Sequence, residues 1–120
     1  MNKPFRSYPK RNKYNAEKAT YNGYTYHSKK EASYAMELDW RIKAGEVKEW
    51  TRQHKLELYV NGQKICNYFI DFRAKLTDGS VEYIEVKGFE TDVWRLKWKI
   101  TEATFSEMTE GEQAKLVLIK

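Results

Sequence analysis

Apolar and polar residues alternate with a period of two through the middle of this chain, flanked by stretches of helical period. Thr20-Tyr21-Asn22-Gly23-Tyr24-Thr25-Tyr26 reads as a small hairpin turning at Asn22-Gly23. Residues 28–45 read as a helix: Ser28 followed by Glu31 is a capping box, Ala35, Leu38 and Ile42 recur on one face, and Gly45 stops it. Residues 47–60 and 64–76 are strand-like and joined by Asn61-Gly62, a second hairpin signal. Residues 81–87 form a third strand. Thr91 caps a second helix from Asp92 to about Phe105, with Val93, Leu96, Ile100 and Ala103 predicted inward. An acidic loop with Glu107, Glu110 and Glu112 precedes a closing apolar strand over residues 116–119. This order predicts an α/β fold bordering on α+β, with helices packed on a mixed central sheet.

The turn Thr77-Asp78-Gly79 sets which residues meet across the second hairpin of long strands. A two-residue Asp78-Gly79 loop would put Asp71 opposite Val86. A three-residue loop, with Gly79 in the left-handed position, pairs Leu76 with Ser80 and Asp71 with Glu85. The position of Gly79 favours the second arrangement. Asp71 and Glu85 would then have neighbouring side chains on one sheet face, where like charges repel unless something positive lies between them.

Glu85 and Lys87 are two apart on a strand and project together. Two carboxylates and an ammonium can hold a divalent cation and position a water, which metal-dependent phosphodiester cleavage requires. The bland alternative is an ordinary polar strand face. Glu46-Val47-Lys48 repeats the Glu-x-Lys spacing, but it follows a helix stop and has no preceding strand with an Asp. Glu31 adds a third carboxylate. It lies four before Ala35 and seven before Leu38, on the stripe that faces the core, where a lone charge is costly. It can act as helix cap, as a residue of the site, or as both.

An N-terminal helix with Glu, a strand with Asp and a following Glu-x-Lys together resemble the PD-(D/E)XK nuclease superfamily. More closely, residues 24–32, residues 43–47, Gln53, Tyr68-Phe69-Ile70-Asp71-Phe72 and residues 85–93 look like a small phage and prophage family within it. Members of that family are described as uncharacterised or as endonucleases. The resemblance spans roughly residues 13–105; Ile70 stands where a proline often precedes the Asp. It implies a restriction-endonuclease-like sheet and a nuclease site of Glu31, Asp71, Glu85 and Lys87. In that site Asp71, Glu85, the Val86 carbonyl and Glu31 would hold Mg²⁺ or Mn²⁺, since hard cations prefer oxygen ligands. Gln53 is expected to point toward it in a supporting role. What the resemblance implies is a metal-dependent nuclease and no particular substrate; the reading taken here is an endonuclease acting on DNA in phage DNA processing, with linear and branched or junction DNA both open as substrates. A rival reading is a catalytically silent DNA-binding accessory protein on the same scaffold, and a third is a phage protein that contacts host proteins through its aromatic surface.

Composition changes the picture in a few places. At 120 residues the chain has room for one modest core. The lone Cys66 excludes an internal disulfide framework, and one Cys with two distant His cannot close a zinc site. No apolar run is long enough to span a bilayer, and the N-terminus lacks a signal-like apolar region, so the expectation is a cytoplasmic protein of a bacterial host and no membrane partner.

The net charge of +5 resides in the first twenty residues, where Lys3, Arg6, Lys10, Arg11, Lys13 and Lys18 face only Glu17. Residues 1–12 thus read as a basic arm of the kind that contacts phosphates, or as a solubilising tail, ahead of a single domain over 13–120. Lys29, Lys30, Arg95, Lys97 and Lys99 are further candidates for backbone contact, a solvated helix face being the alternative for the last three. Trp94 and Trp98 read as core or dimer contacts rather than a base-stacking platform. Because one site cuts one strand, a homodimer is favoured for cutting two.

Overall fold

Asn22 and Gly23, at φ 52° and 89°, turn the chain between β1 (Ala19–Tyr21) and β2 (Tyr24–Tyr26), the first elements of a computed structural model that describes residues 17–120. Two adjacent positive φ values are what a tight hairpin needs, and Asn-Gly supplies them at low steric cost. The basic arm expected over residues 1–12, with Lys3, Arg6, Lys10 and Arg11, and also Lys13, lie outside the described residues.

Helix α1 (Lys29–Lys43) starts at Ser28, whose hydroxyl accepts from the Glu31 amide at 3.1 Å. Glu31 reaches back to the amide of His27, one residue beyond the usual capping-box partner, at 2.9 Å. Gly45, at φ 82°, ends the helix, its amide bonding to the Ile42 carbonyl. Ala32, Ala35 and Leu38 are buried as their spacing requires, but Ile42 is exposed, one turn past the sheet the helix covers.

Two long antiparallel strands follow, β3 (Val47–Val60) and β4 (Gln63–Leu76), joined at Asn61-Gly62. Gly79, at φ 93°, then carries the three-residue turn into β5 (Val81–Val86), with Leu76 bonded to Ser80 and Phe72 paired with Ile84. The expected register is therefore the observed one. Helix α2 (Asp92–Met108) crosses to β6 (Ala114–Ile119), which lies parallel to β5. The result is a mixed four-stranded sheet in the order β3-β4-β5-β6, with a helix on each face and the small hairpin beside α1: an α/β arrangement bordering on α+β.

Two cores hold the layers together. Ile84, Val86, Phe72 and Ala74 pack with α1 and the hairpin; Val81, Tyr83, Tyr68 and Ile70 pack with α2. Along β5 this is the ordinary alternation of a strand. Along β4 it is not, because Ile70 and Phe72 have the same parity yet serve opposite cores. The face changes between them, at Asp71. In β3, Trp50 packs on the α1 side and Leu56 and Leu58 on the α2 side, and between them Gln53 takes a left-handed φ of 52°. Such a backbone is strained in a non-glycine residue and marks the pivot of both strands.

The second helix differs from its sequence-based reading by one position. Val93 and Leu96 are 65% and 63% exposed and Ala103 is exposed too, while Trp94, Trp98 and Thr101 face the sheet. Ile100 is partly buried against the α2 core. Both stripes are apolar at helical spacing, and the indoles win because they bury more area and because the Trp94 Nε1–H finds the Tyr68 hydroxyl at 2.9 Å. Trp94 and Trp98 stack at 5.5 Å, as core residues.

Candidate active site

Pairing between β4 and β5 stops at Phe72 and Ile84, one residue short of Asp71 and Glu85. From there side chains replace the backbone ladder. The Val86 amide donates to Asp71 Oδ2 at 2.8 Å, and the Asp71 amide donates to Glu85 Oε1 at 3.3 Å. The two carboxylates thus occupy the fork where the strands part. Glu31 enters from the first turn of α1. Glu31, Asp71, Glu85, Val86 and Lys87 line one cavity of about 520 Å³, together with Ser28, Lys30 and Phe89.

Charge in this fork is expensive. Glu31 and Glu85 are only 4% and 3% exposed. Burial, then the charge of Glu85, then that of Glu31 push the Asp71 carboxyl from 3.8 up to about 9, against the Val86 amide, which favours the charged form. Burial also raises Glu85, opposed by Lys87 and by the Tyr68 hydroxyl. Lys87 Nζ lies 3.4 Å from Glu85 Oε2 and 4.8 Å from the centre of the Trp94 ring. Gln53 Nε2 lies 3.4 Å from Asp71 Oδ1.

All four residues expected in the site are therefore brought together, with Gln53 beside them. The Glu46 copy of Glu-x-Lys is elsewhere, paired with Arg41. Of the cations expected to meet a nucleic-acid backbone, Lys30 lines the cavity and reaches the Lys87 carbonyl at 3.4 Å. Lys29 pairs with Glu17, and Arg95 with Glu90 and Asp92. Lys97 and Lys99 are on α2, Lys99 in a separate shallow cavity with Trp98 and Glu102. Tyr68 and Trp94 were not legible as site residues: each reads as an ordinary buried aromatic, and only the fold puts one against Glu85 and the other under Lys87.

A divalent cation fits the donors but not as a closed cage. Among the described residues no three His, Cys, Asp or Glu side chains converge as preformed ligands. Magnesium is commonly held by one or two carboxylates and keeps several waters, so the buried Glu85 and half-buried Asp71 at an open fork match its chemistry. A larger cavity of about 590 Å³, at Tyr21, Asp39 and Trp40, offers no such donors, because Asp39 is already engaged by Tyr21 and the Trp50 indole.

Residues 11–117 match the family described as "Protein of unknown function (DUF1064)". The chain belongs to this family. No curated protein and no solved structure matches it. The match runs from before the small hairpin into β6, so the α1 glutamate, the β4–β5 fork and Lys87 of this family member all fall inside the matched region. No helix among the described residues is long and apolar enough to cross a membrane.

Proposed function

We propose that this protein is a metal-dependent endonuclease that hydrolyses phosphodiester bonds in DNA, with the arrangement expected of the PD-(D/E)XK superfamily. The observation that carries the reading is that Asp71, Glu85 and Glu31 line one cavity, with Lys87 Nζ 3.4 Å from Glu85. Each of the three carboxylates accepts a backbone amide, but capping alone does not call for gathering them at one cavity, where burial and mutual repulsion hold Asp71 well above the ordinary carboxylate range. Such perturbed groups cluster where chemistry is done.

Asp71, Glu85 and the Val86 carbonyl would hold Mg²⁺ or Mn²⁺. Bound there, the cation would offset phosphate charge and lower the pKa of a water. Lys87 orients the attacking water or stabilises charge on the pentavalent phosphate. Trp94 and Tyr68 keep Lys87 and Glu85 in place from behind. Glu31 keeps the first turn of α1 against the site through His27 and adds negative charge that favours the cation. One site cuts one strand, so a homodimer would serve a two-strand or junction cut. Phage DNA processing in a bacterial cytoplasm is the setting this activity suits.

The test is incubation of the full chain with labelled linear, nicked, forked and four-way DNA in Mg²⁺, Mn²⁺ or chelator. Cleavage that needs metal and fails in Asp71→Ala and Glu85→Ala is the expected result. Binding without cleavage under every metal condition would instead favour a silent DNA-binding accessory protein.

A further inference from the structure

Arg52 is the one described arginine that pairs with no carboxylate. Arg41 is held by Glu46 and Glu82, Arg73 by Glu112, and Arg95 by Glu90 and Asp92. The Arg52 guanidinium instead lies 5.0 Å from the centre of the Tyr24 ring and 5.0 Å from that of Tyr26. Its Nε is buried beside the Tyr26 hydroxyl, and among the described residues the two groups have only each other as polar partners.

These groups line a cavity of about 390 Å³ with Asn22, Trp50 and Thr51. Hydroxyl, amide and guanidinium donors surround it, and no acidic residue does. This is the reverse of the neighbouring fork, which carries three carboxylates. With its Nε buried, a guanidinium lying on aromatic rings has its two Nη groups left to meet two oxygens of a phosphate. Tyr24 is 52% exposed and presents a ring face beside them.

The cavity adjoins the candidate site along two connections. Arg52 precedes Gln53, the pivot residue next to Asp71, and pairs with Phe72, the residue after Asp71. Tyr26 packs on Phe72 and precedes His27, whose amide holds Glu31. The left-handed turn at Gln53 is what sends Arg52 to the hairpin side while His54 goes to Tyr83 on the α2 side. The two cavities flank the β2–α1 connection, Tyr26 lining one and His27, Ser28 and Lys30 the other.

We infer that Arg52, seated on Tyr24 and Tyr26, binds a phosphodiester of a nucleic-acid strand adjacent to the one cut at the Asp71–Glu85 fork. The inference rests on the nucleic-acid reading above and deepens it by assigning a second backbone contact on the hairpin side.

The experiment measures fluorescence-anisotropy binding of labelled duplex DNA and of duplex RNA of the same sequence across a salt series, for the full chain and for Arg52→Gln, Arg52→Lys and Tyr24→Ala. Arg52→Gln should lower the slope of log affinity against log salt by about one unit on whichever duplex the wild type binds, as loss of a single phosphate contact does. In cleavage the loss should fall on KM. Arg52→Lys should restore the slope but only part of the affinity, because an ammonium lacks the planar fork. Tyr24→Ala, at an exposed position, should weaken binding without loss of folded structure and serves as the reading if Arg52→Gln does not fold. A folded Arg52→Gln, or Tyr24→Ala in its place, that binds both duplexes with wild-type slope and affinity would overturn the inference and leave the nuclease reading standing. A wild type that binds neither duplex would sink both, whereas binding with intact salt effects and no cleavage would sink only the hydrolytic reading.

Discussion

The Val86 amide donates to Asp71 Oδ2 at 2.8 Å where a backbone carbonyl would ordinarily accept, at the first rung that β4 and β5 fail to make. A strand pair that continued past Phe72 and Ile84 would have spent this amide on the ladder. By ending early, the sheet gives a half-buried carboxylate a strong donor, while its other oxygen meets Gln53 Nε2 at 3.4 Å. Asp71 is held in place by the backbone and opposed by its neighbours at once, as the proposed binding of a cation would require.

That balance has a pH signature. The folded state raises Asp71 from 3.8 to about 9, so its protonated form is favoured in the fold. Its contribution to stability is complete below 3.8 and declines as pH rises, being lost above about 9. In chelator, Asp71→Asn should therefore melt at a higher temperature than wild type at pH 8, with the gap closing as pH is lowered toward the ordinary carboxylate range. Adding millimolar Mg²⁺ or Mn²⁺ should raise the wild-type melting temperature and not that of Asp71→Asn. A wild type as stable as the variant across this range would show that Asp71 is not under the strain described.

Lys87 tests chemistry apart from binding. Lys87→Ala removes the cation that offsets Glu85 and the group placed to stabilise transition-state charge. Single-turnover cleavage should fall by about a hundred- to a thousand-fold, the cost of losing one such group, while DNA affinity measured by anisotropy changes little. Wild-type cleavage by this variant would remove Lys87 from the catalytic set.

Gln53 combines a strained backbone with a contact to Asp71. Gln53→Gly and Gln53→Ala both delete that contact, but only glycine relieves the left-handed φ of 52°. Gly should be more stable than Ala here by about 1 kcal/mol, the reverse of their order inside an ordinary strand. Urea denaturation of the two variants decides it. Both should cleave more slowly than wild type.

The facing of α2 makes a stability prediction. Trp98→Ala should cost about 3–5 kcal/mol, as loss of a buried indole does, whereas Val93→Ser and Leu96→Ser should stay within about 0.5 kcal/mol. Equal losses at Val93 and Trp98 would contradict the orientation of the helix.

Much of the architecture is written locally. The Asn22-Gly23 and Asn61-Gly62 turns, the caps at Ser28 and Thr91 and the stop at Gly45 each depend on one residue's backbone freedom or one side chain's reach. The Asp71–Glu85 register follows from counting back from Gly79, because a strand's period is fixed at two and the turn length leaves one solution. That count brings Asp71 to Glu85, the spacing of two brings Lys87 to the same face, and the α1 stripe brings Glu31 inward, so the shared cavity of these four residues follows from local rules.

What the tertiary structure alone decided involves choices between local patterns that are equally good. Two apolar stripes on α2 compete, and the sheet surface beneath chose the indoles, since only there does Trp94 find Tyr68. The face change at Gln53 and Asp71 has no signature in the alternation, because it arises where two long strands twist between cores on opposite faces. Arg52 reads in sequence as one more charged strand residue. Its setting on Tyr24 and Tyr26 comes from packing a hairpin some thirty residues upstream against β3, a long-range contact that no local spacing encodes.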